Sequence, residues 1–477
     1  MVGKTSITPE AFMNEKNRIV YQKQTSDAHQ NISFSRCAKK VFINSLIPSV
    51  AAISRANTWK EKIWKILMVI FCLLGFLYQA MEFFSFYFSY PTTVKSDEFS
   101  PSHIILPAIT FCSNNRFSLQ KTCEKFATQC ISYDADDFCE KYPRYCFPED
   151  KIQKKIPLEK TNMNIRTLSW NLTSAISPSS AIIEKCIKIV NQTKSECKKS
   201  DIAAVPVVTD ENQPAICYTV GTEIGKPDSR PEFYPTYFKY QFVLNTLQEE
   251  YFYLDDSVLI YVEVHDSRQV ANPLRDGIAL RGGTKYRALV SMTEALRLPR
   301  PYDTNCQDYI SLWRRNGGYG PLNRHECVEQ CKLLKVRAER RCVDQHVNYP
   351  HYERLCTAGE TSITDKIIDS CTMECSPACY ESSYEVKYVE VGKQNLKCPS
   401  KNEGCMLQNI DLTFSFQKFK VKRTLYHPEI QASEMFSSML NCLVMWLGMS
   451  LIAVLDIVEM IIKLIYHFVT CITRKCC

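Results

Sequence analysis

The chain has 477 residues, 45% of them hydrophobic and 23% charged, with a formal net charge of +7. That length could hold two or three ordinary soluble domains, but two long apolar segments lie near the two ends. No basic helix with interleaved aromatics accompanies the positive charge, which argues against a nucleic-acid partner.

The first 60 residues are polar and begin without the apolar core of a secretory signal. The first apolar segment runs from Ile66 to Phe88 with Glu82 its only charge. It is apolar on every face and long enough to cross a hydrocarbon core of about 30 Å with some tilt. Arg55, Lys60, Lys62 and Lys65 precede it, and Arg474 and Lys475 follow the second apolar segment. Basic flanks at both outer ends predict that both termini are cytoplasmic, so the net charge reads as topology.

Between the segments lie 18 of the 24 cysteines. That density and the even number suit disulfides in an oxidising compartment better than zinc, the competing reading of Cys327/Cys331 and Cys371/Cys375/Cys379. Two N-glycosylation sequons, at Asn171 and Asn191, fall in the same stretch; a third, at Asn31, falls on the expected cytoplasmic side. The middle of this region has strand character in "YFKYQFVLNTL", "SVLIYVEVHD" and "KYRALVSMTEAL". "RHECVEQCKLLKVRAERRC" and "TDKIIDSCTMEC" read as helices, each carrying two cysteines one turn apart that could lace the pair into a ladder. Spacing alone does not decide which cysteines pair.

The second apolar segment has no charge from Met435 to Leu455 and then continues past Asp456, Glu459 and Lys463 to about Thr470. As one helix it would be about 50 Å long, more than a bilayer core requires. It therefore projects or breaks, and Gly448-Met449-Ser450 is the place for a break. Ionisable groups at membrane depth are costly and point to function. Asp456 and Glu459, at i and i+3, share roughly one helix face. Cys471, Cys476 and Cys477 beyond it are palmitoylation candidates. The sequence carries no nucleophile elbow, zinc-protease helix, phosphate-binding loop or metal-spaced histidine pair, so neither an enzyme nor a cofactor is expected.

These residues resemble the degenerin/epithelial sodium channel family, which includes acid-sensing and FMRFamide-gated channels. The likeness is carried in order by "LPAITFCSNNRFS", "VEVHDSRQVANP", "GIALRGGTKYRALVS", "LRLPRPYDTNC", "CVEQC", "CSPACYESSY" and "LGMSLIAVLDIVE", and spans about residues 40 to 465. It implies an α+β membrane protein with two transmembrane helices and a large, disulfide-rich, hand-like ectodomain, assembled as a homo- or heterotrimer with family subunits in plasma-membrane lipid. The expected segments are a cytoplasmic 1–63, a first span 64–88, an ectodomain 89–434, a pore-lining second span 435–470 and a cytoplasmic tail 471–477.

The resemblance also implies roles. Gly448, Met449 and Ser450 would form the selectivity filter for sodium ions, and Asp456 and Glu459 an acidic ring below it. Tyr90 and Tyr302 would couple the ectodomain to the pore. The implied disulfides are Cys112–Cys217, Cys186–Cys197, Cys306–Cys379, Cys327–Cys375, Cys331–Cys371 and Cys342–Cys356. Cys398–Cys405 is expected as a local pair, and Cys123, Cys130, Cys139 and Cys146 are left unassigned. The chain departs from the family at Pro48-Ser49, where relatives carry a cytoplasmic His-Gly that affects opening. It departs again at Leu440-Asn441 and Val444, which replace small residues, and at Met449, where relatives have Ala or Ser.

The expected function is thus a trimeric, sodium-preferring cation channel gated by an unknown extracellular ligand, a proton or force. The alternatives are a non-conducting or modulatory subunit and an ATP-gated two-span channel. The latter should show phosphate-binding lysines and fewer cysteines, and neither is evident.

Overall fold

The structure is a computed structural model that describes residues 53, 56, 58–142, 159–161, 169–211, 213–339, 342–343, 346–356, 363–393, 408–448, 450, 452–455, 458–459 and 462. It divides into two compact units, one formed by the two chain ends (1–91 and 428–477) and one by residues 92–427.

In the first unit, helix α1 (Trp59–Tyr87) covers 29 residues. Thr58 opens it by accepting the Glu61 N–H, as an N-cap should. Among the described residues it is the one helix long and apolar enough to cross a membrane by itself. The second helix of this unit is α4 (Ala432–Leu447).

The 92–427 unit is built on two sheets. The larger has eight strands in the order β1 (Thr92–Phe99), β13 (Val421–Pro428), β10 (Thr284–Leu296), β12 (Asn409–Ser415), β7 (Lys239–Asn245), β3 (Ile183–Val190) and β4 (Thr193–Glu196), with β11 (Tyr380–Lys393) also paired to β10. β10 organises it. One edge runs antiparallel to β11 from Thr284 to Leu296, and the other pairs in parallel with β12 and then β13. The second sheet has five strands in the order β9 (Ile278–Arg281), β8 (Leu259–His265), β2 (Ala108–Ser113), β6 (Pro214–Val220) and β5 (Ile202–Val208).

Period-two alternation turns Tyr240, Phe242 and Leu244 of β7, and Ile410, Leu412 and Phe414 of β12, into a shared apolar core. Phe111 of the second sheet meets Phe242 of the first at 5.0 Å between ring centres. β2, central in its sheet and covered on both faces, is buried at every position. The three strand-like stretches of the sequence form β7, β8 and β10. β3, β11, β12 and β13 carry weaker local signals and are held by pairing to their neighbours.

The "RHECVEQC" stretch forms α2 (Arg324–Glu339) and "TDKIIDSC" forms α3 (Asp365–Glu374). Cys375 is the residue that caps α3 rather than part of its face. The helices are laced by Cys327–Cys375 and Cys331–Cys371 over a small core of Val336 and Ile367. Further disulfides join Cys112 to Cys217, Cys186 to Cys197, Cys306 to Cys379, Cys342 to Cys356, and Cys123 to Cys130. Cys139 is also disulfide-bonded. Cys398 and Cys405 lie outside the described residues.

Candidate functional site

The break expected at Gly448 is present, and its local cause can be read atom by atom. Helix α4 begins with a reciprocal cap, in which the Gln431 N–H donates to the Glu434 carboxylate at 3.0 Å. It ends at Leu447, where Gly448 turns left-handed (φ 60°, ψ 23°) and donates its N–H to the Val444 carbonyl at 3.0 Å. Among the described residues nothing lies within 4 Å of where a Gly448 Cβ would be. The requirement for glycine there is therefore conformational and not steric.

Two residues on, the chain becomes helical again. The Ser450 hydroxyl accepts the Ala453 N–H at 3.3 Å and its carbonyl accepts the Val454 N–H at 3.1 Å, with residues 452–455 helical. Glycine stops one helix and serine caps the next. A helix that stops here leaves carbonyl oxygens of its last turn without intrahelical donors. At membrane depth such oxygens are tolerated where they face protein or a water-filled path.

Glu459 is exposed on the helical stretch 458–459. Met449 and Asp456, and with them Pro48 and Ser49, lie outside the described residues.

The segment just before the break is held by contacts that sequence reasoning missed. The Trp446 indole lies across α1 so closely that a Cβ on Gly75 would come within 2.5 Å of its ring. Its Nε1–H donates to the Gln79 side-chain oxygen at 2.6 Å, and Phe71 meets it edge-on at 6.4 Å. Small residues at helix crossings permit this approach, and the indole satisfies a glutamine that apolar surroundings would otherwise leave costly. Gly75 and Gln79 are interruptions in an apolar run, which was the one signal available.

Elsewhere the two helices and the restart after the break expose large apolar side chains, among them Leu74 at 61%, Met445 at 63% and Ile452 at 66%. Water does not tolerate so continuous an apolar surface, which calls for lipid or further protein.

Tyr90, in the unit of the helices, is held at φ 52° beside the rings of Tyr87 and Phe88. A bulky residue at positive φ is a genuine outlier, and such outliers gather at functional sites. Tyr302, in the other unit, belongs to a loop that is tied down on both sides. Thr92 donates to Asp303 at 2.9 Å, Arg300 to Asn305 at 2.6 Å, and Thr304 to the Leu298 carbonyl at 2.6 Å. Cys306–Cys379 and the Arg297–Glu381 ion pair at 2.7 Å fasten the loop to β11.

Next to it, Arg423 of β13 pairs with the buried Glu294 of β10 and covers the Phe99 ring of β1 at 4.6 Å. Lys420 bonds Glu98, and that contact holds the Glu98 carboxyl below the usual range. The ends of β1 and β13 are thus cross-braced, and β1 follows α1 in the chain as β13 precedes α4.

Asn171 and Asn191 are both exposed, the latter in a left-handed turn at φ 47°. Among the described residues no group of three or more His, Cys, Asp or Glu side chains is arranged to hold a metal ion.

A disulfide-rich, mostly β domain joined to an apolar helix and a second helix broken at glycine is the build of a membrane channel subunit. The model of the amiloride-sensitive sodium channel family matches residues 42–460, and the chain belongs to that family. Its members are membrane-embedded ion channels that assemble as oligomers. Among solved structures, a proton-activated chloride channel determined by cryo-EM is similar over 83% of this chain and 97% of that one. The identity is 10% and the TM-score 0.26. No curated protein matches the chain in sequence.

Proposed function

We propose that the chain is one subunit of a trimeric, sodium-preferring cation channel in the plasma membrane, opened by an extracellular stimulus. In this reading α1 and the segment from 435 to 470 are the two spans, both termini are cytoplasmic, and the disulfide-bonded unit, glycosylated at Asn171 and Asn191, faces outward. The observation that carries it is the stop-and-restart of the second helix at Gly448 and Ser450.

Three such breaks around an axis would present a ring of backbone oxygens that replaces part of an ion's hydration shell. Met449 would set the width of that ring, and Asp456 with Glu459 would concentrate cations below it. Tyr90 and the fastened Tyr302 loop would pass ectodomain movement to the helices. Pro48-Ser49 would lie on the cytoplasmic approach to the pore.

Whole-cell recording with sodium substitution tests the acidic ring. Asp456→Asn is expected to lower conductance and cation selectivity while surface expression is kept; unchanged conductance and selectivity would remove Asp456 from the pore. A second reading, a subunit that conducts only with a family partner, is favoured by the long side chain of Met449. It predicts silence alone and altered current on co-expression with a relative.

A further inference from the structure

The 92–427 unit contains a cavity of about 120 Å³ lined by β5, β8, the 269–276 segment, the first turn of α2 and residues 347–350. Three lining side chains are carboxylates, Glu263, Asp276 and Glu326, and none is Lys or Arg. Glu326 is only 7% exposed. One of its oxygens accepts the Leu322 N–H at 2.8 Å, while Oε1 has no hydrogen-bond partner.

Glu263 Oε2 and Asn272 Oδ1 are likewise buried without partners. The Asn272 amide cannot turn to relieve this, because its Nδ2 already donates to the Val208 carbonyl at 3.0 Å and to Asn348 at 2.9 Å. The cavity therefore gathers three carboxyl groups and unpartnered acceptor oxygens with no Lys or Arg in its lining, and buried acceptors left unmade are costly.

Burial pushes the Glu326 carboxyl up to about 8, against the Leu322 and Val270 N–H groups and the Gln269 amide, which favour its ionised form. Burial and the neighbouring Asp276 push Glu263 up to about 7. Both shifts have burial as their largest cause.

We propose that this cavity binds a short alkylammonium group, its head shared among Glu326, Glu263 and Asn272 and its carbon chain lying against Val207, Val270 and Val347. An ammonium brings three donors and one charge, which matches three unpartnered acceptors on acidic walls. The apolar lining suits a methylene chain. A cavity of ~150 Å³ holds a ligand of six heavy atoms such as benzene, so this one fits roughly five, the size of butylammonium or of a lysine side chain. The assignment does not depend on whether the chain conducts.

The test is a titration of the full-length protein in lipid nanodiscs with n-butylammonium, N-acetyl-lysine methylamide and, as a neutral control, n-pentanol. Binding is followed by calorimetry or saturation-transfer NMR. At least one amine is expected to bind saturably, with a dissociation constant between about 10 mM and 10 µM for so small a ligand, and pentanol at least tenfold more weakly. Glu326→Gln and Glu263→Gln should each weaken the amine at least tenfold. Preference for the lysine derivative would point to a peptide side chain as the ligand, and preference for butylammonium to a free amine.

No saturable amine binding, pentanol binding as tight as the amine, or unchanged affinity in both folded variants would overturn the proposal. Should one variant fail to fold, the other variant and the pentanol comparison still decide.

Discussion

The two compact units are stabilised in opposite ways. The 92–427 unit closes on itself, with two sheets sharing an aromatic core and with disulfides tying its helices, loops and strand ends together. In the helix unit the observed contacts between α1 and α4 centre on Trp446, while most large side chains face outward. The first kind of stability belongs to the chain; the second waits on its surroundings, lipid or other subunits. In a chain built this way the helices can rearrange at modest cost without disturbing the covalently laced unit.

Covalent lacing is the sharpest line between the two units, so breaking it should have the largest effect. Cys327–Cys375 and Cys331–Cys371 close loops of 48 and 40 residues. Removing a native disulfide costs about 2–5 kcal/mol. Replacing Cys331 and Cys371 together with serine is expected to lower the unfolding temperature of the 92–427 unit sharply and to abolish surface delivery, read by surface biotinylation. Unchanged delivery and melting would show that the α2–α3 pair does not depend on its staples.

The helix unit should be most sensitive at one residue. Gly75→Val puts carbon where the Trp446 ring already lies, and overpacking costs about 1–3 kcal/mol. Subunit assembly in detergent should weaken while the melting of the 92–427 unit is unchanged. Equal loss in both would mean that the units are not separately stabilised.

A smaller effect concerns pH. Glu263 and Glu326 hold protons in the folded chain up to about 7 and about 8, whereas the unfolded chain releases them near the ordinary carboxylate range. The folded state thus binds more protons, so their contribution to stability is complete at low pH and is lost as pH rises to about 8. His265 and His351, held neutral by burial down to about 4, act in the opposite sense, but only below the ordinary histidine range near 6.5. Between about pH 6.5 and 8 the melting temperature of the 92–427 unit should therefore fall with rising pH, and fall less in Glu326→Gln. An identical slope in the variant would contradict the burial argument.

What the sequence disclosed follows how local each cause is. Glycine sets the break through its own backbone and serine caps the restart with its own hydroxyl, so Gly448 and Ser450 were legible. α2 was legible because Cys327 and Cys331 sit one turn apart on it. Cysteine pairing was not, since Cys112 and Cys217 meet only after β2 and β6 have found each other; the family resemblance supplied it. Trp446 and Gly75 lie still farther apart in sequence, and only the stray glycine hinted at a close crossing. The acidic cavity was hidden for another reason. Alternation along β8 puts Glu263 on the face opposite Val262 and Val264, which reads as solvent, and segments far along the chain cover that face.

In the proposed channel, ions pass the helix break at Gly448–Ser450. The most direct measurement is sodium current through Ser450→Cys channels, alone or with the family partner that the second reading requires, before and after an external thiol-reactive cation. The account predicts current that is blocked by the reagent in the variant and untouched in the wild type. Current that persists unchanged after demonstrated modification of the introduced thiol would contradict it.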